Sequence, residues 1–365
     1  MFNASRFKLA RHRRKLTGKR LGELAGVSAV TVSKIENGYQ AEDSTLSALI
    51  RALGYPRDFF YRDDVDLLET ETVSFRSLKK MSAAERDASL AAGSLGIALY
   101  DWIDTRFNLP APDLIDLSKE RNRPETAARM LRQHWKLGDR PIGNMLKLLE
   151  SKGVRILSLS ESTTNVDAYS FWRNDRPYVF LNQEKSAERS VFDSAHELGH
   201  LVLHHHSGSG IEKGAEYQAD RFASAFLMPE ADVFAHAAHL TTPQQVIRTK
   251  ARWRVSAMAL AYRLHKLGVL SEWGYRDICI TLAKLGYRSG EPEGIERETS
   301  TVLAKVFTAL WTKRLTKADI ADDLGVPQHE IEALVFGLTG QATPPDREAK
   351  LTVVSDHGPL FDFQS

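Results

Sequence analysis

The sequence is poor in cysteine and in long apolar runs. Its single cysteine, Cys279, cannot form an internal disulfide and fits a reducing compartment. No apolar stretch approaches the roughly 20 residues that a membrane-spanning helix needs. The charged first residues also lack the apolar segment of a secretory signal. These absences predict a cytoplasmic protein that makes no membrane contact.

The chain also has little net charge, but its charges are unevenly distributed. Net charge is +2 over 365 residues, yet residues 1–40 contain nine Lys or Arg against two acids. The remaining composition, 42% hydrophobic and 26% charged, is that of an ordinary globular protein, and the length leaves room for two or three domains. A basic N-terminal region of this kind favours contact with nucleic acid.

The motif around which the rest is organised is His196-Glu197-Leu198-Gly199-His200. Histidines four positions apart project from one face of a helix and can reach a single metal ion, while Glu197 can address a metal-bound water. The alternative is an amphipathic helix with two surface histidines. However, the surrounding apolar stripe predicts a buried helix, in which unpaired polar side chains would be costly. We therefore predict that His196 and His200 bind metal and that Glu197 is catalytic.

A catalytic zinc site needs a third protein ligand and an open position. The downstream candidates are His204, His205, His206, Glu212 and Glu216. We predict Glu216, because it lies four residues before Asp220 on one face of a second helical pattern. Asp220 would then accept the spare N–H of a ligand histidine. His204 is the alternative ligand, the expected ion is Zn²⁺, and Mn²⁺ is an alternative.

The run HELGHLVLH, followed by E-x-x-A-D-x-F-A-x-x-F-L-M-P, resembles the ImmA/IrrE family of bacterial zinc metallopeptidases. Similar stretches are FRSLKK (Phe75 to Lys80), PIGNMLKLLESKGVRI (Pro141 to Ile156) and PYVFLNQEKSAER (Pro177 to Arg189). The resemblance extends from about Phe75 to past Leu270. It implies a zinc endopeptidase with the ligands His196, His200 and Glu216, the catalytic Glu197, and a separate repressor as its substrate.

The basic first region carries a helix-turn-helix pattern. Thr17 and Ser28 suit the N-caps of two successive helices, and Gly26 suits the turn between them. The pattern, from about Ser5 to Phe60, resembles the phage-repressor-like XRE family and implies binding to a duplex DNA operator as a pair of heads. The alternative is a protein-binding helical module with a solvated basic face.

In such a head the second helix enters the major groove. The residues predicted to face base edges are Ser28, Ala29, Val30, Ser33 and Lys34, with Thr31 nearer the backbone. Those predicted to contact phosphates are Arg13, Thr17 and Lys19.

The predicted fold is mainly α with a small β-sheet, in the α+β class. Helices are expected at 82–108, 125–137 and 142–152, followed by strands at 154–158, 168–172 and 178–182 that precede the metal-binding helix. The predicted regions are an all-α helix-turn-helix head (1–65), a helical support (66–140), a zincin-like peptidase domain (141–235), a helical regulatory or cover region (236–345) and a tail (346–365).

Two later segments leave their roles open. Val233 to Ser271 holds six Lys or Arg and no acid. It resembles the helix-turn-helix-like middle segment of IrrE-like proteins, so it is either a contact for an activating single-stranded nucleic acid or a helical cover. Thr316 to Leu338 also has a helix-turn-helix pattern, but its five acidic residues would repel the phosphates of a nucleic acid. It is therefore expected to be a packing or dimer element.

Two classes of function follow. The first is a DNA-binding transcriptional regulator, expected to be a homodimer, whose zinc endopeptidase cuts a repressor. The substrate is a partner in trans or, second, the chain itself between Tyr61 and Ser82. The alternative is a repressor whose peptidase-like domain serves only as a sensor or dimerisation module. A toxin–antitoxin role is a weaker possibility.

Overall fold

The structure is a computed structural model that describes residues 1–69, 73–75, 82–159, 167–204, 214–288 and 290–339. Its helices, in chain order, are α1 (Ala4–Arg13), α2 (Gly18–Ala25), α3 (Ala29–Glu36), α4 (Asp43–Leu53), α5 (Ala83–Asp104), α6 (Pro124–His134), α7 (Met145–Ser151), α8 (Ala187–Leu203), α9 (Ala215–Leu227), α10 (Glu230–Ala237), α11 (Pro243–Thr249), α12 (Ala257–Lys266), α13 (Glu272–Lys284), α14 (Thr301–Thr312), α15 (Lys317–Leu324) and α16 (Gln328–Leu334). The strands are β1 (Ser74–Phe75), β2 (Arg155–Leu159), β3 (Ala168–Arg173) and β4 (Arg176–Asn182).

The chain divides into two compact units, which we describe one at a time. The first comprises residues 1–110, 157–166 and 302–365, and the second comprises residues 111–156 and 167–301. Helices dominate both units and strands are few, so the predicted mainly helical α+β fold class is confirmed. Among the described residues, no helix is both long and apolar enough to cross a membrane.

In the first unit, α1–α4 form the N-terminal head. The predicted caps are confirmed, because the Thr17 hydroxyl accepts from the Arg20 amide (3.1 Å) and the Ser28 hydroxyl accepts from the Thr31 amide (3.0 Å). Gly26 adopts the left-handed conformation that the predicted turn requires, with a φ of 69°. The helix-turn-helix geometry therefore follows from local capping and turn chemistry.

Helix α5 and the pair of helices α15 and α16 cover the side of the head formed by α1. Helix α5 begins next to Ser82, close to the predicted bound, with a capping box formed by Ser82 and Glu85, and it ends at Asp104 rather than at residue 108. It packs against α1 and also against α15 and α16. Because α5 is covered by helices from both ends of the chain, most of its residues are buried.

In the second unit, β3 and β4 form an antiparallel hairpin with Ala168 opposite Leu181. Its two turn residues, Asn174 and Asp175, both have positive φ, as a tight hairpin of this kind requires. Helix α8 packs on this hairpin and on α9, and α9 also contacts α6. Strands β2 to β4 and helices α6 and α7 lie within a few residues of their predicted bounds. This packing places α8 between the hairpin and α9, which determines what its polar side chains can touch.

Candidate metal centre and DNA-contact face

Helix α8 carries the motif residues into the interior of the second unit. It begins at Ser186, whose hydroxyl accepts from the Arg189 amide at 3.2 Å. His196 and Glu197 are each 1% exposed, and His200 is 5% exposed. Polar side chains buried to this degree must be satisfied by one another, by other polar groups or by a cation.

The close approach of α8 and α9 brings the third carboxylate to the two histidines. Gly199 is the residue that permits it, because a Cβ atom there would lie 3.3 Å from the Cα of Ala219 and 3.1 Å from Cδ1 of Phe222. Glu216 lies in the first turn of α9. Its Oε2 is 3.5 Å from His196 Nε2, and its Oε1 is 3.3 Å from His200 Nε2.

These three side chains fit a metal ion. Their ligand atoms all lie within 4.8 Å of one another, and the two imidazole Nε2 atoms face each other at 3.0 Å. Both carboxylate oxygens of Glu216 are buried without a hydrogen-bond partner in the described structure. Two facing imidazole nitrogens and an unsatisfied carboxylate form the nitrogen and oxygen donor set that zinc prefers. His196, His200 and Glu216 are thus the residues that would hold the ion.

Each histidine has an outward partner on the nitrogen that points away from this centre. Asp220 Oδ1 lies 2.9 Å from His196 Nδ1, and His204 Nδ1 lies 3.1 Å from His200 Nδ1. His204 in turn contacts Gln218 Oε1 through Nε2 at 2.8 Å. A chain of hydrogen bonds directed away from Nε2 leaves that nitrogen free to bind metal. His204 therefore lies behind His200 and is not one of the grouped ligand residues. The structure thus favours Glu216 over His204, the alternative third ligand considered from the sequence.

Three other sequence candidates for the third ligand, His205, His206 and Glu212, lie outside the described residues.

A hydrogen bond from the β3–β4 hairpin orients the side chain of Glu197. Ser170, on β3, donates its hydroxyl proton to Glu197 Oε2 at 2.6 Å. Burial raises the pKa of Glu197 to about 8 in the metal-free site. Ser170 is not among the residues predicted from the sequence; its only signal there is a hydroxyl within the otherwise apolar centre of a buried strand, Ala168–Arg173.

The charges of the three ligand side chains depend on one another. Burial lowers the pKa of His196, but the neighbouring carboxylates of Asp220 and Glu216 outweigh burial and raise it to about 9. Burial lowers the pKa of His200 to about 4. Burial raises the pKa of Glu216, yet the two imidazoles hold it well below its ordinary value. Glu216 is therefore ionised beside the histidines, as a metal ligand must be.

The first unit presents the predicted DNA-contact residues at its surface. Ser28, Ala29, Val30, Ser33 and Lys34 are exposed along α3, as are Thr17 and Lys19 at the start of α2. Val30 is 63% exposed although it is apolar. Thr31 is half-buried, with its hydroxyl 2.9 Å from that of Ser28. An exposed apolar side chain at the start of this helix suits contact with a thymine methyl group.

Arg13, the other residue predicted to contact phosphate, is engaged by an acid within the first unit, which weakens that prediction. Its Nε donates to Oε2 of Glu330, on α16, at 2.7 Å. The buried carboxylate competes directly for the guanidinium group that would have to reach a phosphate. A partner more than 300 positions away cannot be inferred from the sequence around Arg13.

Four of the six cations between Val233 and Ser271 are engaged by acids of the second unit. Lys250 contacts Glu188 at 3.0 Å, and Arg252 contacts Asp232 at 2.6 Å. The other two pairs are Arg254 with Glu298 and Arg263 with Glu125. These ion pairs fit the helical-cover interpretation and weaken the charge argument for a single-stranded nucleic-acid surface.

Two family models match the chain, and both agree with this geometry. A helix-turn-helix model matches residues 7–60, and a peptidase family model described as the IrrE N-terminal-like domain matches residues 149–265. A comparison with curated proteins gave no match. The second match contains α8 and α9 and therefore the whole candidate metal centre. The chain thus carries, in this order, a region that matches an XRE-type helix-turn-helix model and a region that matches the IrrE/ImmA-like peptidase model.

Proposed function

We propose that this chain is a DNA-binding transcriptional regulator that carries a zinc-dependent endopeptidase. The observation that supports the enzyme is the convergence of His196, His200 and the unsatisfied carboxylate of Glu216, with Glu197 buried beside them. A purely structural metal site would have no chemical need for the carboxylate of Glu197. An enzyme needs it as a base.

The chain's own residues account for the main requirements of peptide hydrolysis. A zinc ion held there supplies Lewis-acid activation of water and of the scissile carbonyl. Glu197 accepts a proton from the attacking water and passes it to the nitrogen of the departing amine. Ser170 fixes Oε2 of Glu197, so the carboxylate keeps one orientation through both transfers. Asp220 and His204 orient the two histidines.

The substrate that we propose is a repressor in trans, with the chain itself as the second candidate. The helix-turn-helix region supports binding to duplex DNA. The proposed binding mode is that of a homodimer on an operator with half-sites about one helical turn apart. Cleavage of a repressor that occupies such an operator would change gene expression. Zn²⁺ is the proposed ion and Mn²⁺ the alternative.

The test is cleavage of a purified repressor that carries a helix-turn-helix head similar to that of this chain. Wild type, Glu197→Gln and Glu230→Gln are each incubated with it, with zinc or manganese, and with or without single-stranded DNA. Glu230→Gln is the matched control, because Glu230 is exposed and lies in the same unit. We expect the wild type and the control to cut the repressor, whereas Glu197→Gln keeps its metal and does not cut. If every protein tested stays intact although the wild type binds zinc, the sensor or dimerisation alternative is favoured.

A further inference from the structure

Helix α16 carries a buried glutamate, Glu330, whose hydrogen-bond partners lie in the head, far from it in sequence. Glu330 is 1% exposed. Its two carboxylate oxygens accept from Arg13 Nε and Arg14 Nη1, both at 2.7 Å. The hydroxyl of Tyr55 donates to the same carboxylate at 2.9 Å. Both arginines lie at the end of α1, and Tyr55 follows α4, so this one side chain fastens three points of the head.

The end of α15 makes a second set of contacts in the same unit. Arg62, near the end of the head, donates to the backbone carbonyls of Asp322 (3.1 Å) and Asp323. The side chain of Asp323 accepts from Trp102 Nε1 at 2.8 Å and from Arg106 at 3.1 Å, both contributed by α5 or the residues just after it. The α15–α16 pair therefore binds the head on one side and α5 on the other.

Apolar side chains join the same three parts of the unit. A cavity of about 110 Å³ is lined by Phe59 of the head, Leu95 of α5, and Ile331 and Leu334 of α16, together with polar neighbours. The last two side chains are each 1% exposed. The contact is thus a core shared by sequence-distant segments, not an isolated surface ion pair.

Charge explains why α15–α16 packs here instead of contacting nucleic acid. Its acids oppose phosphate but complement the basic end of α1. A carboxylate buried against two guanidinium groups holds them in place, and removing either side leaves charge buried without a partner. Burial raises the pKa of Glu330, but the two arginines outweigh burial and hold it below its ordinary value.

We infer that α15 and α16 form an intramolecular clamp that holds the helix-turn-helix head on α5 without help from the chain connection between them. A cut between Tyr61 and Ser82 would then leave the head attached, whereas loss of the Glu330 contacts would let it dissociate. This clamp argues against self-cleavage in that connection as a way of releasing the head. It also gives the C-terminal helices a role in DNA binding, because they set where the head is held.

The test uses the full chain with a site-specific protease sequence in place of residues 76–81. After complete cutting, verified on a denaturing gel, the native mixture is run on gel filtration over a dilution series. We expect the N-terminal fragment to co-elute with the remainder. In the nicked Glu330→Gln protein, the dissociation constant of the fragment should rise roughly 100-fold, as for a buried ion pair that loses one partner.

The matched control is Glu332→Gln on the same helix, because Glu332 is exposed and its carboxylate accepts a hydrogen bond from its helical neighbour Gln328. It should co-elute as the wild type does. Tyr55→Phe, which removes one hydrogen-bond donor and keeps the ring, should weaken retention to an intermediate degree and covers the case in which Glu330→Gln does not fold. Release of the fragment from the nicked wild type would overturn the inference. Equal retention in Glu330→Gln and Glu332→Gln would do the same.

Discussion

Replacing Gly199 by alanine should weaken metal binding without unfolding the protein. The added Cβ would lie 3.3 Å from the Cα of Ala219 and 3.1 Å from Cδ1 of Phe222. Ordinary carbon contacts are about 3.5–4.0 Å, so α9 must move away by roughly half an ångström. Glu216 lies one turn before Ala219 on that helix, and the displacement therefore carries its carboxylate away from the histidines.

Helix propensity and core overpacking have opposite effects on the free energy of unfolding of Gly199→Ala. Alanine gains about 1 kcal/mol over glycine in a helix, while overpacking a core costs about 1–3 kcal/mol. The free energy of unfolding should therefore fall by no more than about 2 kcal/mol. Metal affinity should fall by roughly tenfold, in the range seen when the support of a ligand is disturbed.

The assay is competition for Zn²⁺ against a chromophoric chelator, with thermal unfolding followed by circular dichroism in the metal-free state. Gly274→Ala is the matched control, because Gly274 also lies in a helix but its Cβ would meet only the Ser271 hydroxyl, at 3.4 Å. That variant should bind metal as the wild type does. Unchanged zinc affinity in Gly199→Ala would refute the argument that the spacing of α8 and α9 sets the site.

Three further outcomes can be measured on the same protein. His204→Ala should lower zinc affinity by roughly tenfold, because His200 loses the partner of its Nδ1 atom; unchanged affinity in the chelator assay would show that His204 does not position it. Ser170→Ala should lower kcat for repressor cleavage by roughly tenfold while zinc affinity stays the same, because Glu197 loses the hydrogen bond that orients it and Ser170 is not a metal ligand; an unaltered kcat would contradict this. The lowered pKa of Glu330 means that its contribution to stability is complete above its unfolded pKa and is lost as pH falls through its folded pKa. The difference in Tm between wild type and Glu330→Gln should accordingly be constant down to about pH 5 and shrink below about pH 4, and a difference that grows in acid would contradict the sign.

Local patterns in the sequence predicted the parts of the structure that local chemistry determines. The i, i+4 spacing of His196 and His200 places both imidazoles on one helix face whatever surrounds the helix. Thr17 and Ser28 cap their helices through amides three residues away. Such features depend on the next few residues alone, so one sequence is enough to predict them.

Contacts between distant segments could not be predicted in this way. Ser170 reaches Glu197 only because β3 packs beside α8, and no spacing between the two residues encodes that packing. Arg13 was assigned to phosphate because its local surroundings are basic, whereas Glu330 satisfies it from the other end of the chain. The role of the basic segment from Val233 to Ser271 stayed open for the same reason, since the acids that pair with Lys250 and Arg254 are distant in sequence.

The most direct test of the proposed metal centre is the metal content of the purified chain, measured by inductively coupled plasma mass spectrometry. Wild type is compared with His200→Ala, and with His236→Ala as a control histidine outside the centre. We predict about one zinc ion per chain in the wild type and in His236→Ala, and a nearly complete loss in His200→Ala. Equal metal content in His200→Ala and wild type would place the metal elsewhere and contradict the account.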